Sequence, residues 1–343
     1  MKPKTADDVS FLMDAYVTSA ALNAALELGL FWLLAEEPLG AQDVAQALGI
    51  PLNRCRLWLQ LLSTTGLIER GANGYAPSPT GQTAILDACS RDTWAYLAGD
   101  ARDRYPAILD LAQQIREPGS TWEAQGLAAP DYLAQMVESP ERARRFTRLL
   151  YEIHFPLAES LAECLDLSGV KRMMDLGGGS GVMSLALLRR CPGLTALVVD
   201  IANVCAAGRE IAAEQSMEAW LTFQAADFLQ DELPSGFDLV LQCDVGGFSE
   251  SVLKKVWAAL EPGGRLVIVD QIAPEQGLAP ATVPYPLWAF LASMDNPDLS
   301  YWTAGEIQSK LRETGFHNIS QTLLPQRGTQ RWTKDWTMIE ARK

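Results

Sequence analysis

Residues 173–183 run Met-Met-Asp-Leu-Gly-Gly-Gly-Ser-Gly-Val-Met. An apolar run stops at Asp175-Leu176, passes through a cluster of glycines and enters a helical pattern at 184–190. This predicts a strand, a tight turn and the start of a helix. Glycines at 177, 179 and 181 remove the Cβ atoms that would hold a ligand off the backbone. The helix that follows turns its free N–H groups toward the same point. The turn is therefore a place where a nucleotide-like ligand can lie.

The chain after residue 172 repeats the same rhythm. Strands are expected at 173–176, 195–199, 221–225, 237–241 and 265–269, with helices at 181–190, 204–215 and 250–260 between them. Alternation of this length implies an α/β fold with a parallel, doubly wound sheet. Ligands of such sheets bind at the carboxyl ends of the strands. Asp200, Asp227-Phe228, Asp244 and Asp270 fall at those ends. Two cofactors compete for the turn. A dinucleotide would also use a glycine turn with an acidic residue about 20 residues on, where Asp200 stands. The spacing here is Gly-x-Gly-x-Gly, however, and it lies mid-chain. Asp227 adds a second carboxylate for an adenine amino group, and Asp175 one for a cationic amine. This set fits S-adenosylmethionine better than NAD.

Composition narrows the class. At 343 residues the chain has room for two domains with separate cores. Its net charge of −14 opposes a polyanion, because nucleic-acid affinity rests on Lys and Arg contacts to phosphate. Neither nucleic acid nor an anionic membrane is an expected partner. The six cysteines and two histidines show no metal-ligand spacing. No metal site is expected, and reduced thiols of a cytoplasmic protein are the simpler reading. The N-terminus does not resemble a signal peptide. The apolar stretch at 15–34 is interrupted by Asn23, Glu27 and Gly29, as in a buried helix.

Residues 1–100 form the first expected domain. A long helix over 7–28 carries Phe11, Leu12, Ala15, Leu22, Ala25 and Leu26 near helical spacing, a face suited to a second subunit. Helices at 41–48 and 52–65 precede a hairpin signalled by Asn73-Gly74. Three helices and a hairpin in this order make a winged helix. The last helix holds Arg54 and Arg56 among Leu57, Trp58, Leu59, Leu61 and Leu62, and the wing offers only Arg70. Dimerisation is the expectation, not DNA binding. Residues 101–165 read as a helical linker and substrate-site region. Pro140 and Pro156 are expected to break or kink its second helical stretch. A Gly- and Pro-rich loop at 117–129 carries Trp122. Residues 166–343 form the cofactor domain.

The motifs at 174–181, 200–201, 226–228 and 260–270 together resemble the class I S-adenosylmethionine-dependent methyltransferases. The likeness is to the two-domain small-molecule group that includes caffeate-type and bacterial O-methyltransferases. It extends to the N-terminal module and to the helix at 303–316. The resemblance implies a Rossmann-like, mostly parallel sheet with an antiparallel last strand, a homodimer formed through the winged-helix domain, and methylation of a small aromatic or polycyclic metabolite. It implies that Asp175, Gly177 and Gly179 back the methionine part of the cofactor. Asp200 would bind the ribose, Ile201 the adenine face, and Asp227 and Phe228 the adenine.

The chain departs from the pattern at one point. Where plant members carry a His-Asp pair, this sequence has Cys243-Asp244. Cys243 is expected beside the cofactor, and Asp244 becomes the candidate base or orienter. Aligning a sulfonium with an already nucleophilic atom can supply much of the acceleration without a strong base. O-methylation is preferred, with C- or N-methylation of a tetrapyrrole or heteroaromatic acceptor, or a non-enzymatic ligand-responsive regulator, as alternatives. The substrate side is expected from Tyr151, His154 and Phe155, placed on one face of their helix, and from Trp288 and Met294. His154 is open to two readings, a base or a packed histidine.

Overall fold

The computed structural model describes residues 3–129, 131–273, 285–296, 302–325 and 336–343. The chain divides into two compact units, residues 1–109 and 110–343.

The first unit has helices Ala6–Met13, Ala15–Leu28, Leu30–Glu36, Ala41–Leu48 and Leu52–Ser63, the hairpin β1 (Ile68–Gly71) and β2 (Gly74–Pro77), and a later helix Arg91–Asp103. The expected single helix over 7–28 is two, bent by 41° at Asp14. Ala6–Met13 starts with a capping box from Thr5 and Asp8 but buries none of its side chains, so no packing holds it in line with its successor. Ala15–Leu28 does bury Ala25 and Leu26. They join Phe31, Leu34, Val44, Leu59, Leu62 and Ile68 in one core. Val9, Phe11, Leu12, Met13, Tyr16 and Val17 stay exposed within this unit. Among the described residues no single helix is long and apolar enough to cross a membrane.

The second unit is a seven-stranded sheet. Its strands are β3 (Arg172–Leu176), β4 (Thr195–Asp200), β5 (Leu221–Ala225), β6 (Phe237–Cys243), β7 (Leu260–Asp270), β8 (His317–Leu323) and β9 (Thr337–Arg342). The order is β5-β4-β3-β6-β7-β9-β8. β3 to β7 are parallel, and β9 runs antiparallel between β7 and β8. The expected α/β class and the antiparallel last strand are both present. Both faces are covered, so the strands alternate between two cores. Met173, Leu239, Leu241, Val267 and Val269 face one core, with Leu157, Leu161 and Leu185. Met174, Val240, Leu266 and Ile268 face the other, with Val252, Leu253 and Ile307.

Residues 110–165 fall within this unit. The reason is the helix Pro140–Cys164, which buries Leu157, Ala158 and Leu161 against the sheet layer. Pro140 opens it behind the Ser139 cap, where no N–H is needed, and Pro156 sits inside it without ending it. Trp122 is buried, its indole N–H donating to Asp295 Oδ1 at 2.6 Å. Residues 326–335, which precede β9, lie outside the described residues.

The order of strands reverses between β3 and β6. β4 and β5 lie to one side and β7 to the other, so the chain leaves β3 and β6 in opposite directions and opens a crevice at their carboxyl ends.

Candidate functional site

The crevice holds a cavity of about 430 Å³. β3 delivers Asp175 and the glycine turn, β4 Asp200 and Ile201, the loop after β5 Asp227 and Phe228, and β6 Cys243 and Asp244. All of these line it, as do Gly177 and Gly179.

The turn is shaped by its carboxylates. Gly179 N–H donates to Asp200 Oδ2 at 2.9 Å, and Ile201 N–H donates to Oδ1 at 2.7 Å. Asp200 thus fixes the turn whose surface it shares. Gly179 has φ of +55°, and an added Cβ would meet no heavy atom within 4 Å. Its exposed side is open cavity floor. Gly178 differs, since a Cβ there would run into the Asp175 carboxyl.

Asp175 is fully buried. The Ser184 hydroxyl donates to its Oδ2 at 2.7 Å, while Oδ1 has no hydrogen-bond partner. Burial pushes its pKa up to about 6, and Asp200 adds to the rise. Asp200 is itself shifted up by burial, against the two N–H groups that favour its charge. Among the described residues no basic side chain pairs with either. A crevice of buried, uncompensated carboxylates with an open glycine floor fits a ligand that carries an ammonium and a sulfonium. The residues present therefore suit S-adenosylmethionine. Asp227 Oδ1 accepts from Leu229 N–H at 3.0 Å, and the Asp227 carbonyl accepts from Gln230 and Asp231, which sets the loop that presents Phe228.

A further part of the wall comes from the helix Pro140–Cys164. Phe146, Thr147, Leu150 and His154 face the cavity. Tyr151 and Phe155 do not line it, so the face they were expected to share with His154 divides. At about 100° per residue, positions 147, 150 and 154 fall within about 60°, whereas 155 is turned about 100° from His154. Tyr151 packs against the core, and Phe155 stands partly exposed beside it. Met294 is buried away from the cavity, its carbonyl accepting from Thr121 N–H at 2.9 Å. The side chain of Trp288 lies outside the described residues.

His154 Nε2 lies 3.5 Å from Asp244 Oδ2. Burial holds the imidazole below its ordinary pKa, and the Asp244 charge partly opposes that. Cys243 is raised well above the usual thiol value by burial, with Asp244, Asp175 and Asp270 adding to the effect. Asp270, just behind the loop, is pushed up to about 7 by burial and then by Asp244. Asp244 has φ of +57°, a conformation Asp tolerates better than most residues. Sequence reasoning missed Phe146, Thr147 and Leu150, although their helical stripe with His154 was visible. It also missed Tyr132, Leu133 and Val245, whose place depends on tertiary packing.

Known proteins share the sequence pattern and the fold of this chain. The O-methyltransferase domain profile matches residues 109–316, and the O-methyltransferase dimerisation domain profile matches residues 11–87. The chain is 31% identical to a 3-hydroxy-5-methyl-1-naphthoate 3-O-methyltransferase of Streptomyces sahachiroi, over 87% of this chain and 86% of that protein. It is 30% identical to the N,N-dimethyltransferase OxyT of Streptomyces rimosus, over 89% of each. Human N-acetylserotonin methyltransferase in complex with S-adenosylmethionine has the same fold, with a TM-score of 0.79 at 23% identity, covering 100% of this chain and 99% of that one.

Proposed function

This chain belongs to the S-adenosylmethionine-dependent O-methyltransferase family, and from that premise we propose that it methylates a hydroxyl of a small aromatic or polycyclic metabolite. The observation that carries the proposal is the cavity at the strand-order switch, with acidic groups and a glycine floor on one side and an apolar helix stripe on the other. Bound S-adenosylmethionine supplies an electrophilic methyl group. Asp200 would hold the ribose hydroxyls and keep the glycine turn closed on its own N–H bonds. Ile201, Asp227 and Phe228 would hold the adenine. Asp175, Gly177 and Gly179 would take the methionine end, where a cation offsets the buried charge of Asp175. Cys243 would border the cofactor as a protonated thiol.

Phe146, Leu150, Tyr132 and Leu133 give the acceptor side an apolar, partly aromatic wall. Flat aromatic acceptors suit such a wall. The Streptomyces sahachiroi relative, named for a hydroxylated naphthoate, supports that class. The Streptomyces rimosus relative, named for N,N-dimethyl transfer, favours a nitrogen acceptor as the second reading. The N-terminal unit is read as a winged helix that serves dimerisation, its exposed Phe11, Leu12 and Tyr16 meeting a second copy. The scattered cysteines, without paired or metal-ligand spacing, suit a reducing, cytoplasmic setting.

The test has two stages. Calorimetry with S-adenosylhomocysteine and with NADH should give binding to the first alone. Incubation with methyl-labelled S-adenosylmethionine and a panel of hydroxynaphthoates, polycyclic phenols and aromatic amines should then place label on oxygen. Label on nitrogen would support the second reading. No binding of S-adenosylhomocysteine at millimolar concentration would sink both.

A further inference from the structure

The strand-end loop has no histidine, yet the cavity does. His154 enters from the helix Pro140–Cys164, and its Nε2 faces Asp244 Oδ2 at 3.5 Å. That separation exceeds a good N–H···O hydrogen bond. An acceptor hydroxyl about 2.8 Å from Nε2 can give its proton to that nitrogen, with the carboxylate beside it to stabilise the imidazolium that forms. The His154 side chain is 12% exposed and that of Asp244 is 49% exposed. The imidazole is thus held in a dry wall while the carboxylate reaches toward the open side. Trp336, itself buried, sets its ring edge-on to the imidazole with centroids 5.9 Å apart.

We propose that His154 is the general base for methyl transfer and that Asp244 is its positioning residue, the helix supplying the histidine that the loop lacks. The proposal rests on the methyltransferase reading above. As the new O–CH₃ bond forms and the S–CH₃ bond breaks, the hydroxyl proton passes to His154 Nε2, and Asp244 stabilises the imidazolium. Other groups nearby are poorly suited. Cys243 is kept protonated by burial and by the surrounding carboxylates, and Asp270 does not line the cavity. His154, with its pKa held below the ordinary value, is neutral and ready to accept a proton at pH 7. The charged groups around the pair are Asp244, then Asp270 facing Asp244, with Asp175 facing Cys243. All are acids, so any that ionise raise the imidazole pKa.

The experiment uses full-length wild type, H154Q, D244N and H317Q. S-adenosylhomocysteine binding to each is measured by calorimetry and should stay within about threefold of wild type, which certifies the fold. Histidine NMR titration of the loaded protein, assigned with H317Q because the chain has only two histidines, should place His154 below its ordinary value. D244N should move it lower still. With a weakly acidic phenol at pH 7, H154Q should lower kcat by about 10²- to 10⁴-fold. Wild-type kcat should fall on an acidic limb below pH 6.5, which H154Q abolishes and D244N shifts to lower pH. The H154Q defect should shrink toward nothing with phenols already ionised at the assay pH, an effect that a merely structural role would not produce.

Wild-type kcat in H154Q, or an equal loss with ionised phenols, would overturn the proposal. So would a His154 titration at or above the ordinary value that ignores D244N, and this arm needs no turnover. Failure of the wild type to bind S-adenosylhomocysteine would instead sink the methyltransferase reading.

Discussion

Two sets of carboxylates in the second unit stand in opposite circumstances. Glu210 and Glu214, on the helix Ala202–Glu214, meet Arg144 and Arg148 of the helix Pro140–Cys164. Hydrogen bonds from Arg144 and Arg148 hold both glutamates below their usual pKa. Asp175, Asp200 and Asp270 sit at strand ends, and all three are raised by burial. The first set is solvated and paired, as structural charges on a helix–helix contact are. The second is desolvated and lacks a basic partner among the described residues, which destabilises the protein until a cation arrives. Two of the three, Asp175 and Asp200, line the cavity, and Asp270 lies just behind it.

The largest test of this contrast is Asp200→Ala. It removes the acceptor of two backbone N–H bonds, each worth about 1.5–3 kcal/mol for a charged partner, and with it the closure of the glycine turn. S-adenosylhomocysteine binding should weaken by about 100-fold or more. An unchanged dissociation constant by calorimetry would end its assignment.

Asp175→Asn comes next. The folded pKa of Asp175 is about 6 against an ordinary 3.8. A folded state that binds the proton more tightly loses stability as pH rises from 3.8 to 6, by up to about 3 kcal/mol. In denaturant melts of the cofactor-free protein, D175N should therefore exceed wild type at pH 8 and match it near pH 4. Wild-type affinity for S-adenosylmethionine should rise through pH 6, and D175N should be about tenfold weaker at pH 8 with that rise removed. A flat wild-type profile would show that Asp175 does not receive the cation.

Gly179→Ala puts a Cβ on the open floor at φ +55°, a left-handed conformation that penalises L-residues by about 1–2 kcal/mol. Cofactor affinity should drop several-fold alongside a small fall in Tm. The smallest effect belongs to the paired set. E210Q/E214Q should lower stability by under about 1 kcal/mol and leave S-adenosylhomocysteine affinity unchanged. The stability these pairs give is lost as pH falls through the glutamate range, opposite in sign to Asp175. A large binding defect in this variant would erase the distinction between the two sets.

Much of this is legible in the sequence. The strand, glycine turn and helix at 172–190 are local structure, dictated by glycine spacing and apolar period, and they stand where the pattern placed them. Asp200, Ile201, Asp227, Phe228 and Cys243 follow strands whose ends a doubly wound sheet brings to one edge, so their meeting in one cavity follows from topology. The bend at Asp14 was not legible, because an apolar helical period continues across it. Nor was the division between His154 and Tyr151 with Phe155. Residues three or four apart lie near each other on a helix, but which stripe meets a cavity depends on how the helix is rolled against the sheet.

The sequence by itself determined the sheet, the glycine turn and the carboxylates around it, because strand–helix alternation and glycine spacing are local and periodic. Only the tertiary structure decided that His154 faces Asp244. The two are 90 residues apart in number and join only when the helix Pro140–Cys164 packs beside the carboxyl end of β6. No local propensity encodes such a contact. The burial that keeps the imidazole neutral likewise exists only once the helix has packed and Trp336 stands against the ring.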